Sequence, residues 1–230
     1  MGSAAAEEMH AVPFRDAETF SSDIRPHYKW TGVIARMSAH KKPLRPFVDN
    51  KGRLQGLALD SMARKINDMV NKYDYVADMV VWKTIDYWAT PAEFFANGGD
   101  CEDYAIAKYE WLRFLGVPEE NLRLAILHDR IRLIPHAVLI LYIGSKAMIL
   151  DSQIRDIRDS ASTSRYRMIY SINRQGWSMP IAPESFTVSM VEGLDQIEPA
   201  GGDDLMALLP KCLTGENLPE CINAIAPKAR

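Results

Sequence analysis

One junction constrains this chain more than any other feature. Asn97-Gly98-Gly99 interrupts the backbone, Asp100 is a good N-cap, and Cys101 opens the clearest helical pattern in the sequence. Asp103 falls in the first turn, where the positive end of the helix dipole favours a carboxylate. Ala105, Tyr109, Leu112 and Leu115 recur at steps of four, three and three, and so line one apolar stripe. Ile106, Trp111 and Phe114 fall outside it, which predicts a helix buried on more than one side. Gly116 and then Pro118 end the pattern.

The period changes after this helix. Leu122 to Leu127, Ala137 to Ile143 and Ala147 to Asp151 are strand-length runs rich in Ile, Leu and Val, and Tyr166 to Ile172 offers a further strand. Gly144-Ser145 joins two of these runs as a hairpin. Upstream, Leu59, Met62, Ala63, Ile66, Met69 and Val70 recur at helical spacing between Leu57 and Lys72. Thr90-Pro91 is an N-cap followed by proline at the first helical position. Residues 15–40 read as an irregular helical lead-in, Lys41 to Asn50 as a proline-containing loop, and Tyr75 to Trp82 as a short element of undecided type. Helices first, then antiparallel strands, predict an α+β fold with N-terminal helices packed on an antiparallel sheet. The expected division is a tail over 1–14, one domain over 15–198, and a linker with a small helical extension over 199–230, introduced by PAGGDD.

Composition narrows the function classes. The 230 residues are 47% hydrophobic and 25% charged, which is ordinary for a globular domain. A net charge of -3 and a pI near 6.0 leave no basic footprint, so nucleic acid is not the expected partner. No apolar run reaches about 18 residues, so no membrane-spanning helix is expected. The start, MGSAAAEEMH, lacks the basic and apolar regions of a signal peptide, and Gly2-Ser3 resembles a cloning remnant. For an exported protein, the signal would already have been removed. Cys212 and Cys221 fit a disulfide-closed loop worth roughly 2–3 kcal/mol, in an oxidising compartment, or two free thiols in a helical hairpin. Cys101 is then left over as a candidate reactive thiol.

A thiol becomes a useful nucleophile as the thiolate, which a helix N-terminus and a neighbouring imidazole both favour. Cys101 has the first device by position, and the same free N–H groups suit an oxyanion. His136 begins the most apolar strand and Asp151 ends its partner. With a two-residue turn at Gly144-Ser145, Ile143 pairs with Lys146 and His136 falls opposite Gln153. Asp151 then shares a face with His136 as a diagonal neighbour, within about 7–8 Å between backbones. Taken singly, Cys101 is equally a small first-turn residue, His136 a strand-end histidine, and Asp151 a turn residue. In this order and spacing they form a candidate Cys-His-Asp triad. The second oxyanion donor is unassigned; the Trp88 indole N–H is one candidate, with a core role as the alternative. Asp100, Glu102 and Asp103 crowd the thiol with negative charge, which opposes thiolate formation. Either they decorate the helix dipole, or a divalent cation such as calcium sits among them.

The run Asp86 to Gly116, DYWATPAEFFANGGDCEDYAIAKYEWLRFLG, resembles the signature of the bacterial transglutaminase-like cysteine proteinases, periplasmic proteases of the LapG type. The likeness continues through PHAVLI (Pro135 to Ile140) and ILDSQ (Ile149 to Gln153), and covers roughly Trp30 to Pro180. The resemblance implies a papain-like fold, Cys101 as nucleophile, His136 as base and then acid, and Asp151 as the orienting carboxylate. It also implies calcium at Asp100 and Glu102, with Asp103 as a further ligand. A periplasmic location follows from it too, with a large surface adhesin cut near its N-terminus and an inner-membrane cyclic-di-GMP receptor as restraining partner. Cleavage of that kind releases the adhesin and disperses a biofilm. The rival readings are an amide-transferring transglutaminase with the same triad, and a non-catalytic binding module of the same fold.

Overall fold

The computed structural model describes residues 18–40 and 42–181. The compact unit that carries the site takes in residues 18–24 and 28–181 of these. The 1–14 tail, the 199–230 extension and both Cys212 and Cys221 lie outside the described residues.

Six α-helices precede most of the sheet: α1 (Tyr28–Ala39), α2 (Arg45–Leu54), α3 (Leu59–Val70), α4 (Asp78–Val81), α5 (Pro91–Asn97) and α6 (Cys101–Phe114). In α5 the expected start is a full capping box. The Glu93 N–H donates to Thr90 Oγ1 at 3.3 Å, and Glu93 Oε2 accepts from the Thr90 N–H at 2.6 Å. Helix α2 replaces the loop expected over Lys41 to Asn50. Pro46 stands in its first turn, where a missing N–H removes no helical bond, and Phe47 and Leu54 are its buried residues. Two prolines read as breakers had in fact marked a helix start.

Seven strands follow or flank: β1 (Glu18–Ser21), β2 (Leu122–Asp129), β3 (Ile134–Ile143), β4 (Lys146–Leu150), β5 (Arg158–Asp159), β6 (Tyr166–Ile172) and β7 (Trp177–Pro180). They form one antiparallel sheet in the order β1-β7-β6-β2-β3-β4-β5. The lead-in read as irregular helix over 15–40 therefore contains β1, paired Glu18 to Pro180 across almost the whole unit. Gly144 takes φ +56 in the β3–β4 turn, and Ile143 pairs with Lys146 as counted from the sequence.

One sheet face packs on the helices. Leu124, Leu139, Leu141 and Leu150 join Trp30, Ile66, Phe94, Tyr109, Trp111 and Leu112 in the main core. Helix α6 is buried through Glu102–Tyr109, Trp111 and Leu112, more than one face of it, as the extra apolar residues predicted. Polar side chains tie the layers together: the Trp30 indole N–H donates to the Asn173 carbonyl at 3.0 Å. The opposite sheet face carries a second, smaller apolar cluster that includes Leu127, Val138, Ile140 and Met168. Both faces of β3 are thus buried, which explains its continuous apolar run. No described helix is long and apolar enough to cross a membrane.

Candidate active site

The start of α6 is held against the segment before α4. Gly98 has φ +77, and a Cβ there would stand 2.5 Å from the Asp74 carbonyl, so this close approach requires glycine. The Val76 N–H donates to the Gly99 carbonyl at 2.9 Å and the Gly99 N–H to Asp74 at 3.3 Å. Cys101 is therefore presented as the first residue of a helix that cannot slide.

Its sulfur meets the start of β3. The Ala137 backbone N–H is directed at the Cys101 thiol, which brings His136, the preceding residue, to the same place. The thiol itself donates to Glu102 Oε2 at 3.3 Å. Strand β4 stops pairing at Leu150, opposite Leu139, and Asp151 turns in beneath His136. His136 Nε2 lies 2.9 Å from Asp151 Oδ1, and both side chains are almost wholly inaccessible. Asp151 is held from three further directions. Its Oδ1 accepts from the Gln153 N–H at 2.8 Å, its Oδ2 accepts from the Tyr166 hydroxyl, and its backbone carbonyl accepts from Asn71 Nδ2 at 2.8 Å. The Tyr166 ring lies 6.1 Å from the imidazole.

Electrostatics divides the site. Burial alone would raise the Asp151 carboxyl, but the His136 hydrogen bond and charge, the Gln153 N–H and the Tyr166 hydroxyl outweigh it and hold the group below its usual value. Around the thiol the balance is reversed. Desolvation first, then the charges of Glu102 and Asp100, push Cys101 well above an ordinary thiol, against the help of the Ala137 N–H. Burial also raises Glu102, Asp100, Asp103 (to about 8) and Asp78 (to about 6). Among the described residues two groups place donor atoms within 4.8 Å of one another: Asp100, Cys101 and Glu102; and Asp78, Asp100 and Asp103. Asp103 also has a structural task, accepting from the Ala89 N–H at 2.7 Å and the Asp100 N–H at 3.2 Å.

The structure brings Cys101 to the strand end that carries His136, pairs His136 with Asp151, and groups Asp100 and Glu102 with the thiol and Asp103 with Asp100. Trp88 is not among them. Its indole N–H donates to Asp86 Oδ1 at 3.0 Å and its ring is in the core, which is the alternative reading given for it. Tyr166, Asn71 and Asp78 were missed. No local pattern marks them; only the sheet order and the packing of α3 and α4 bring them to the site.

The family whose members are described as bacterial transglutaminase-like cysteine proteinases matches residues 48–181, more than half of the chain. The chain belongs to this family. Among solved structures, calcium-bound LapG of Legionella pneumophila is 28% identical with a TM-score of 0.54, over 65% of this chain and 86% of that one. The EGTA-treated form is 27% identical with the same score, over 72% and 89%. A further LapG structure of that organism is 26% identical with a TM-score of 0.53, over 77% and 97%. No curated protein matches the chain significantly. The seven-stranded antiparallel sheet with helices on one face is accordingly the transglutaminase-like fold, and the family assignment makes the chain a cysteine peptidase.

Proposed function

We propose that this proteinase is a calcium-dependent periplasmic endopeptidase that works through Cys101, His136 and Asp151. The observation that carries the reading is the buried His136–Asp151 hydrogen bond, 2.9 Å long, set beside a cysteine at a helix N-terminus. Because Nε2 is engaged by Asp151, Nδ1 is the imidazole atom free to take the thiol proton. The sulfur then attacks the scissile carbonyl, the Cys101 N–H helps hold the oxyanion, and His136 returns its proton to the departing amine. Water, deprotonated by His136, cleaves the thioester and restores the thiol. Asp151 keeps the imidazole oriented and stabilises its charged form throughout.

The acidic residues fit a calcium ion. Asp78 Oδ1 and Asp100 Oδ1 are buried oxygens with no hydrogen-bond partner, and the donor set is carboxylate oxygen, which suits a hard cation. Asp100 and Glu102, with Asp103 and Asp78, would hold it. Bound there, calcium supplies positive charge that offsets the acids now opposing the thiolate. The calcium-bound LapG relative supports the same choice of ion. By the same kinship the substrate is the N-terminal region of a large surface adhesin, and an inner-membrane cyclic-di-GMP receptor is the restraining partner. Exposed Ile131 and Leu133, on the turn leading to β3 and His136, offer apolar contacts for an extended protein segment.

The test is the alkylation rate of Cys101 against pH, with calcium and with chelator, and with His136→Ala as control. Fast labelling below pH 7 that needs both calcium and His136 is expected. Labelling only near pH 8.5, as for a free thiol, in the calcium-loaded protein would overturn the mechanism. Incorporation of an amine in preference to hydrolysis would turn the reading to a transglutaminase.

A further inference from the structure

Tyr75 lies on the segment that holds the start of α6. It pairs with Gly99, two residues before Cys101, in an isolated parallel bridge. The bonds that secure this contact are backbone only, from the Val76 N–H to the Gly99 carbonyl and from the Gly99 N–H to the Asp74 carbonyl. Any side chain at position 75 would permit them, so the aromatic ring has no part in that fastening. The ring stacks instead on Tyr104, with centroids 6.0 Å apart and planes at 24°. Tyr104 is three residues beyond Cys101, on the same face of α6. It is buried and its hydroxyl donates to the Tyr73 carbonyl, so the platform under Tyr75 is fixed. Nearby Tyr73 sends its own ring against Phe94 and Phe95. Tyr75 is the opposite case: it is 57% exposed, with one ring face on Tyr104 and the other open.

The groups that act on the Tyr75 phenol are those of the site. Desolvation first, then the charges of Cys101, Asp100 and Glu102, raise it, and Arg132 of the β2–β3 turn opposes them. The ring is therefore neutral. The Cys101 sulfur meets the start of β3, so the thiol lies between Tyr75 and the turn that leads into that strand. That turn is rigid. Asp129 Oδ1 accepts from the Ile131 and Arg132 N–H groups at 2.9 and 3.1 Å, and Arg165 holds Oδ2 at 2.6 Å. Leu133 is kept at φ +59, a conformation costly to any residue but glycine, with its side chain exposed.

We propose that Tyr75 is a specificity-determining residue of the peptidase: its open ring face walls the cleft beside Cys101 and packs on an apolar side chain of the substrate next to the scissile bond. The proposal rests on the triad reading above. A ring face held in one place gives contact area at little entropic cost, and offers an acidic side chain nothing in return for its lost water.

The test compares three alkylating probes on the calcium-loaded full chain: iodoacetamide, a leucylglycyl chloromethyl ketone and its aspartylglycyl counterpart. With either ketone the sulfur displaces chloride and forms a C–S bond. The wild-type chain should saturate with the leucyl probe and prefer it to the aspartyl one. Tyr75→Ala should raise the half-saturating concentration of the leucyl probe by about tenfold, the effect of losing roughly half the burial of a leucine side chain. It should also erase the preference, with no change in the iodoacetamide rate. Tyr75→Phe should keep the wild-type values. An unchanged half-saturation in Tyr75→Ala, or a preference absent from the wild type or surviving in the variant, would overturn the proposal. So would a parallel fall in the iodoacetamide rate, which would mean that Tyr75 acts on the thiol. Should Tyr75→Ala fail to fold, the wild-type chain decides: the leucine methyls of the attached probe should show NOEs to the Tyr75 ring, and their absence would overturn it. Failure of the triad reading is seen separately, as slow iodoacetamide labelling of the wild-type chain at neutral pH.

Discussion

Tyr166→Phe isolates one bond in the site. The hydroxyl donates to Asp151 Oδ2, in a place where both residues are buried, 5% and 1% exposed. The ring stays and no cavity opens, so the change removes the hydroxyl and leaves one carboxylate oxygen short of a partner. A hydrogen bond to a charged group contributes about 1.5–3 kcal/mol, which for a domain of this size lowers Tm by roughly 3–12 °C. The pH dependence follows from the sign of the Asp151 shift. Its carboxyl is held below the usual value, so its contribution is present above the unfolded-state pKa of about 3.9 and is lost as pH falls through the folded value. Tyr166 is one cause of that depression. The variant should therefore be about 1.5–3 kcal/mol less stable in urea denaturation at pH 7, and the gap should narrow as pH falls through the depressed value of folded Asp151. Cys101 alkylation should slow, because a less firmly ionised Asp151 orients the imidazole less well. A stability difference under about 0.5 kcal/mol at pH 7, within the range of an ordinary surface substitution, or one that does not change with pH, would refute the reasoning.

Other outcomes follow from the same geometry. Cys101→Ala should abolish turnover while leaving the melting curve close to wild type; His136→Ala should abolish it too, with a lower Tm because buried Asp151 loses its imidazole partner; and Asp151→Asn should reduce turnover strongly without abolishing it. Residual cleavage by either of the first two would show another nucleophile or base. In chelator, stability should fall as pH rises from about 4 to about 8, because buried Asp103 (about 8) and Asp78 (about 6) bind protons in the folded chain that the unfolded chain has released. Calcium should reverse that loss with a Tm that climbs with its concentration, and a Tm indifferent to calcium at pH 8 would count against an ion at these acids. Gly99→Ala should destabilise by about 2 kcal/mol or more and weaken calcium binding, since a Cβ there runs into the Asp103 carboxylate; thermal melts with and without calcium read both effects.

What was legible in the sequence was local. The cysteine helix could be placed because breaker, cap and period are all contained within about twenty consecutive residues, Asn97 to Gly116. The His136–Asp151 pair could be counted because a two-residue hairpin fixes register by arithmetic, and the observed pairing of Ile143 with Lys146 follows that count. Helix α2 was misread because proline reads as a breaker unless one knows that it stands in a first turn. Strand β1 was misread because four residues carry little periodicity and its partner is β7, at the other end of the unit.

The candidate triad residues and the acids beside Cys101 could therefore be named from the sequence, because the helix start and the hairpin that carry them are each local, whereas the meeting of the Cys101 sulfur with the start of β3 is tertiary. What surrounds them was decided by the tertiary structure. The sheet order β6-β2-β3 carries Tyr166 to Asp151, the α4 segment carries Asp78 to Asp100, and the packing of α6 between α3 and the sheet buries Lys108. Each of these depends on segments far apart in the chain arriving at one point, which no local period records. Burial, which raises the acids and drives the Lys108 amine toward neutrality, exists only once the layers have closed.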